Sequence, residues 1–194
     1  MAIDQGTDVA RAHHDALGET RRIVAGIKDD QWHDATPCDE WDVTELLAHI
    51  VGGNRWVKPL VDGETIDQVG DRLDGDPLGA DPLAAYDASA SEADGAFSAE
   101  GALARPCAVS YGPVPASVYC GHRLLDVLVH GWDLAVATGQ DTTLDPDLAA
   151  TCWALVQPEL EMLAASGAFG STHEAPADAD PATRLLLALG RQPR

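Results

Sequence analysis

Two residues of this sequence, Asp126 and His130, have the types and the spacing that most directly indicate chemistry. They lie four positions apart in a largely apolar segment, so on an α-helix they share one face, one turn apart. A carboxylate among apolar neighbours is costly to bury unless a cation compensates its charge. The compensation could come from a divalent metal, from an arginine such as Arg55, or from a hydrogen bond to His130 without any metal.

His49 lies in a second segment of mixed apolar and polar character and could complete a metal site with this pair. Two imidazoles and one carboxylate are a ligand set of catalytic metal sites, which leave a coordination position open. A single histidine on a partly apolar helix face is more often a core residue than a ligand. The residues alone therefore leave a metal site and a metal-free His–Asp pair as alternatives.

Two further polar residues extend the line of Asp126 and His130 along the same predicted helix. His122, one turn before Asp126, could be a fourth ligand, a general acid or base, or a bystander at the mouth of a pocket. Asp133 could accept the second ring N–H of His130, as carboxylates commonly do for ligating histidines, or form a salt bridge on the helix surface. We predict that His122 transfers protons and that Asp133 supports His130.

Nucleophilic catalysis finds little support in the sequence. Neither Ser110 nor Ser117 lies in a G-x-S-x-G motif, and Cys38 is near His33 only along the chain, whereas catalytic dyads are spatial. The cysteines are too widely spaced for a zinc ribbon or a redox dithiol motif, and their role is left open. They are Cys38, Cys107, Cys120 and Cys152.

Composition bounds the class of protein. The chain has 194 residues, 45% of them hydrophobic, which suffices for a globular domain with a substantial core. Its formal net charge of −20, from 32 acidic and 12 basic residues, argues against binding nucleic acid or an anionic membrane surface. The polar start of the chain and the lack of a long apolar run indicate neither a signal peptide nor a membrane span. We therefore expect a cytoplasmic protein with reduced cysteines.

The spacing of apolar residues predicts a series of helices, and alanine and leucine outnumber β-branched residues. Asp42 followed by Glu45 is a capping-box variant that predicts a helix start. Gly52 and Gly53 inside that helix indicate close packing or a ligand against its backbone. The predicted helices are residues 4–28, one from 42, one from 81, 115–138, one from 145, and 180–190. Between them, residues 62–81 are predicted to be a loop and 105–115 an extended connection.

Three segments resemble the mycothiol-dependent maleylpyruvate isomerase-like proteins, a branch of the DinB-like metal-binding superfamily. They are residues 36–43 (TPCDEWDV), 46–54 (LLAHIVGGN) and 126–135 (DVLVHGWDLA). The end of the chain, residues 185–191 (LLLALGR), is also similar to that group. The HGWDLA and T-P-C-x-E-W pieces are more specific than the metal-ligand spacing alone, and they point to the stand-alone actinobacterial branch.

The resemblance implies an all-α fold, a DinB-like four-helix bundle with extra short C-terminal helices, as one domain over residues 1–194. It also implies a divalent metal, zinc in the first place and Ni²⁺ or Fe²⁺ otherwise, bound by His49, Asp126 and His130. Well-studied members of the family use glutamate where this chain has Asp126. Their cosubstrate is mycothiol or a similar low-molecular-weight thiol, which a metal helps to deprotonate.

The resemblance further implies a thiol transferase or a thiol-assisted isomerase acting on a small electrophile. The isomerase itself carries an additional C-terminal domain, so we expect a stand-alone transferase or lyase in place of maleylpyruvate isomerisation. We expect Asn54 and Arg123 to line the substrate pocket, and the protein to be a monomer or homodimer. The alternatives are a metal-dependent hydrolase or lyase that uses water without a thiol, and a metal-binding protein without catalysis.

Overall fold

The computed structural model describes residues 5–160 and 173–193, and helices dominate them. In chain order the helices are α1 (Gln5–Ala25), α2 (Val43–Val61), α3 (Ile66–Val69), α4 (Pro82–Ser98), α5 (Ala116–Thr138), α6 (Pro146–Val156) and α7 (Pro181–Ala188). Two strands, β1 (Pro106–Val109) and β2 (Gly112–Pro115), form a short antiparallel hairpin before α5. The all-α fold class predicted from the sequence is confirmed.

Four of these helices form a bundle. α1 packs against α4 and α5, and α2 packs against the same two helices, so each helix has two bundle neighbours. The apolar faces meet in a core whose larger side chains are fully buried, and each contributes about 1.5–3 kcal/mol through its burial. Examples from α2 and α5 are Leu46, Leu47, Ile50, Leu124 and Leu134.

The ends of the helices follow the local signals in the sequence. The side chain of Asp42 accepts from the backbone N–H of Glu45, whose carboxylate accepts from the N–H of Asp42, and this capping box begins α2 as predicted. The side chain of Asp81 caps α4 by accepting from the backbone N–H of Ala84, without a reciprocal bond of a capping box. Gly139 ends α5 with a φ of 65°, a left-handed conformation that glycine adopts without strain.

Two connections are more ordered than predicted. Within residues 62–81, Thr65 and Gln68 form a second capping box around the short helix α3. The sequence T-x-x-Q carries that signal, but the glycine and aspartate residues around it hide any apolar periodicity. Within residues 105–115, the extended run continues through a turn and pairs with itself, with Cys107 opposite Val114.

Gly131 lets α5 approach α1 closely. A side chain there would place its Cβ 2.4 Å from the hydroxyl oxygen of Thr20. That hydroxyl donates to the backbone carbonyl of Val127 at 3.0 Å, so the contact also bonds the two helices. This contact fixes the position of α5 along α1, and it therefore also fixes the positions of the site residues on α5.

The chain divides into two compact units, residues 1–142 and 143–194. The first contains the four-helix bundle, and in the second α6 packs against α7. The expected single domain over residues 1–194 stays a prediction, and the predicted helix start at residue 4 lies outside the described residues. Across residues 5–160 and 173–193, no helix combines the length and the apolar character needed to cross a bilayer.

Candidate metal centre

The bundle brings the three predicted metal ligands together between α2 and α5. Nε2 of His49 lies 3.1 Å from Oδ1 of Asp126, and Nε2 of His130 lies 3.6 Å from the same oxygen. One ligand atom from each residue falls within 4.8 Å of the other two. The i, i+4 spacing aligns Asp126 with His130, and the packing of α2 on α5 adds His49 from across the groove. The three donors therefore surround one point.

His130 is oriented by a buried carboxylate. Its Nδ1 donates to Oδ2 of Asp133 at 3.0 Å, and the side chain of Asp133 is fully buried. With Nδ1 as the donor to this carboxylate, the neutral ring has its lone pair on Nε2, toward Asp126 and His49. This is the arrangement that supports ligating histidines in metalloproteins. Asp133 thus has the geometry expected of the support for His130.

Arg123 is the cation beside Asp126. Its Nη1 donates to Oδ2 of Asp126 at 2.9 Å, while Oδ1 of Asp126 faces the two histidines. Burial raises the pKa of Asp126, but the Arg123 charge, the hydrogen bond from His49 and the electrostatic effects of the two histidine rings lower it more. The pKa therefore lies well below its usual range, and the carboxylate is ionised at neutral pH. Of the two alternatives to a metal, the arginine is Arg123 and not Arg55. The hydrogen bond of Asp126 is to His49 and not to His130.

A glycine in α2 makes room for this arginine. Nη2 of Arg123 donates to the backbone carbonyl of Ile50 and to Oδ1 of Asn54, at 3.3 and 3.0 Å. A Cβ on Gly53 would lie 2.2 Å from Nη1, so the guanidinium group rests directly on the helix backbone at that position. The close packing that the mid-helix glycines indicated is found at Gly53.

The loop before α2 covers the histidines. The hydroxyl of Thr36 donates to the carbonyl of Trp41 at 2.7 Å and accepts from the N–H of Cys38 at 3.1 Å, which folds residues 36–41 into a tight turn. The indole of Trp41 stacks on the ring of His49, with 4.6 Å between centroids. The thiol of Cys38 donates to Oδ2 of Asp133 at 3.4 Å. Sequence reasoning missed both contacts, although the T-P-C-x-E-W motif marked the segment.

His122 lies one turn from Asp126 but belongs to neither group of ligand atoms that the described residues form. Its Nδ1 and the hydroxyl of Tyr111 are hydrogen-bonded, and the two rings meet edge to face. Tyr111 comes from the turn of the hairpin and is largely exposed. The fourth-ligand alternative for His122 therefore finds no geometric support, whereas its part-exposed position leaves a role in proton transfer open.

Comparison with known proteins places the chain in a family. The sequence model of the mycothiol maleylpyruvate isomerase N-terminal domain matches residues 13–135, which include the whole of α2 and the predicted ligands on α5. The chain belongs to this family. Two uncharacterized proteins of Mycobacterium tuberculosis, one from strain CDC 1551 / Oshkosh and one from strain H37Rv, are each 35% identical to it over 195 aligned positions. Each alignment covers 96% of this chain and 100% of the relative.

Solved structures of the family have the same fold. A crystal structure of a mycothiol-dependent maleylpyruvate isomerase matches with a TM-score of 0.62 and 15% identity, and a His→Ala mutant of that enzyme matches with 0.66 and 16%. Each match covers 84% of this chain and 72% of the isomerase chain. At such identities the likeness concerns the fold alone, and it confirms the predicted DinB-like bundle.

Proposed function

We propose that this protein is a metal-dependent enzyme of thiol chemistry, a transferase or thiol-assisted isomerase that acts on a small electrophile. The proposed cosubstrate is mycothiol or a similar low-molecular-weight thiol. The observation that carries the proposal is the convergence of His49, Asp126 and His130 on one point in a chain of the mycothiol maleylpyruvate isomerase N-terminal domain family.

The donor set fits a divalent metal. His49 Nε2 and Asp126 Oδ1 share a proton in the hydrogen bond between them, and a cation can replace that proton. The imidazole nitrogens suit zinc, nickel or iron better than magnesium or calcium. A metal held by these residues would supply Lewis acidity and lower the pKa of a thiol that binds to it.

The residues around the three predicted ligands hold them in positions suited to binding a metal. Asp133 keeps the Nδ1 proton of His130 and so leaves Nε2 free for coordination. Arg123 keeps Asp126 ionised, and Trp41 packs against one face of the His49 ring. These contacts fix the side chains before any substrate binds, which is the preorganisation that catalysis requires.

Two roles complete the proposal. We assign proton transfer to His122, because it lies one turn from Asp126 on α5 and is part-exposed. Asn54 and Arg123 stay predicted pocket residues. Their hydrogen bonds to each other and to Asp126 favour a role in positioning that carboxylate.

The test compares His49→Ala with His14→Ala, which removes an exposed histidine of α1 that pairs with Asp94. We expect wild type and His14→Ala to bind one equivalent of zinc and to bind mycothiol only when zinc is present. His49→Ala should lose this zinc-dependent mycothiol binding while keeping its helical circular dichroism. Equal zinc-dependent mycothiol binding by all three proteins would refute the assignment of the site.

The thiol requirement separates the proposal from metal-dependent hydrolysis or a lyase reaction with water. Zinc-loaded protein is assayed with small electrophiles, such as activated alkenes and esters, with and without mycothiol. Turnover that depends on mycothiol supports the proposal. Turnover at the same rate without any thiol favours the hydrolase or lyase alternative.

A further inference from the structure

A second group of possible ligands lies on the other side of the His130 ring. Sγ of Cys38 is 3.8 Å from Nδ1 of His130 and 3.4 Å from Oδ2 of Asp133, and the last two atoms are 3.0 Å apart. These ligand atoms also lie within 4.8 Å of one another. The first site uses Nε2 of the same ring, so His130 has a ligand group at each of its nitrogens.

We propose that Cys38, Nδ1 of His130 and Asp133 form a second binding site, for a zinc-class divalent cation. Around a tetrahedral zinc ion with Zn–S near 2.3 Å and Zn–N and Zn–O near 2.0–2.1 Å, neighbouring ligand atoms lie about 3.3 to 3.6 Å apart. The three distances observed here, 3.0, 3.4 and 3.8 Å, scatter around that range. A cation can therefore enter with small side-chain adjustments.

The surroundings of this second site favour a soft, tightly held cation. Asp133 is fully buried, His130 is nearly so, and Cys38 is half-buried at the outer edge, so access is from the Cys38 side. A thiolate and a carboxylate would neutralise the charge of a divalent cation in this poorly solvated position. Thiolate ligands select zinc or cobalt over magnesium and calcium.

The other three cysteines are less suited to binding a cation. Cys107, Cys120 and Cys152 are buried, and burial raises the pKa of each thiol, for Cys120 and Cys152 to about 12. None of them joins a group of three possible ligands among the described residues. A cobalt–thiolate signal from this protein therefore reports on Cys38.

Only one of the two sites can hold a cation at a time, because both need the ring of His130 and each needs a different nitrogen of it deprotonated. When the cation binds, the Cys38 thiol releases its proton to solvent, and a bond forms between Sγ and the metal. The Nδ1 proton of His130 must also leave, and Nε2 takes up a proton and can donate to Asp126. One proton is released in total, and the ring can no longer coordinate through Nε2. A cation in the Cys38 site thus withdraws His130 from the site with His49 and Asp126.

The test uses Co²⁺ alone, under anaerobic conditions, on the His49→Ala variant, in which the first site is disabled. We expect one equivalent of Co²⁺ to bind with a sulfur-to-cobalt charge-transfer band in the near ultraviolet and the release of one proton. Adding Cys38→Ser should abolish the band, whereas adding Cys152→Ala, which removes a buried cysteine of the other unit, should leave it unchanged. Circular dichroism checks that each variant is folded.

Alkylation of Cys38 gives a second, independent measurement. Co²⁺ should slow the reaction of Cys38 with iodoacetamide at least tenfold in His49→Ala, as followed by mass spectrometry of the cysteine-containing peptides. Folded His49→Ala that shows no charge-transfer band and no protection of Cys38 would overturn the proposal. Because this variant lacks the first site, that result would leave the proposed function untouched. Zinc-loaded wild type that fails to bind mycothiol would contradict the proposed function and leave the Cys38 site untouched.

Discussion

His130 and Asp126 connect the parts of the site, because each of them contacts two neighbouring groups. Each uses two atoms: His130 faces Asp133 with Nδ1 and the first site with Nε2, and Asp126 faces the histidines with Oδ1 and Arg123 with Oδ2. A change in one of these contacts therefore alters the geometry of the neighbouring contact. The energetic consequence is largest where a buried charge would lose its partner.

Removing the charge of Asp126 should destabilise the fold as well as the site. In Asp126→Asn, the guanidinium of Arg123, with only 8% of its side chain exposed, loses its anion. We expect the metal-free protein to lose about 3 kcal/mol of unfolding free energy, since breaking a buried pair leaves an uncompensated charge. Urea unfolding in the presence of a chelator measures this loss of unfolding free energy.

The control is Asp87→Asn, which breaks the exposed ion pair of Asp87 with Arg21. Exposed pairs contribute little, so this variant should lose less than about 1 kcal/mol. Equal losses in the two variants would show that Arg123 is not held as a buried cation.

His13 should make the protein sensitive to acid. It is fully buried, and neither of its ring nitrogens has a hydrogen-bond partner among the described residues. Burial, with smaller effects of Arg123 and His14, lowers its pKa from 6.5 to about 3. Between these values the unfolded chain binds a proton that the native protein does not, so stability falls as the pH falls, by up to about 1.4 kcal/mol per pH unit.

His13→Leu should remove this contribution. The variant should gain stability relative to wild type as the pH falls from about 6 toward 4, because leucine at this position has no proton to bind. Urea unfolding at several pH values measures the difference, with His14→Leu as the exposed control. A difference between His13→Leu and wild type that stays constant with pH would contradict the buried, neutral state of His13.

At the level of helices, the contact of α2 with α5 depends on one glycine. Gly53 lies under the guanidinium of Arg123, whereas a Cβ on its neighbour Gly52 would meet nothing within 4 Å. Both residues lower the helix propensity of α2 to the same extent. The structure therefore predicts opposite results for the same substitution at adjacent positions.

Gly53→Ala should displace Arg123 and weaken its bonds to Asp126, Asn54 and the backbone of Ile50. We expect a loss of about 2 kcal/mol in stability, since hydrogen bonds of charged groups contribute about 1.5–3 kcal/mol, together with weaker zinc binding. Gly52→Ala should instead gain about 0.5–1 kcal/mol from helix propensity and keep its zinc affinity. Thermal unfolding and zinc titration of the two variants test this prediction. Equal shifts in stability and zinc affinity would mean that Arg123 tolerates a side chain at position 53.

On the scale of the whole molecule, the net charge of −20 opposes compact structure through self-repulsion. We expect the melting temperature of the metal-free protein to rise when sodium chloride is increased from about 10 to 150 mM, because the screening length falls from about 30 to 8 Å. Differential scanning calorimetry with chelator present measures the effect. The same molar range of an uncharged osmolyte is the control, and a melting temperature that ignores salt would show that the acidic residues do not act as one repulsive field.

Local sequence signals were sufficient for the helices and for much of the site. Asp42 with Glu45 marked the start of α2, and Gly139 the end of α5, because capping depends on residues a few positions apart. The i, i+4 spacing likewise placed Asp126 and His130 on one face. The short helix α3 was missed because a single turn leaves no lasting periodicity.

Only the tertiary structure decided which groups meet across the bundle. Arg123 lies three positions before Asp126 on α5, a spacing that the sequence already contains. The approach of the Arg123 guanidinium to Gly53 and the approach of Cys38 to His130 depend instead on how α2, α5 and the preceding loop pack together. Such contacts join residues up to 92 positions apart, and no local pattern encodes the distance between them. The sequence determined which chemical groups each helix carries, and the packing of the helices determined which of those groups share a site.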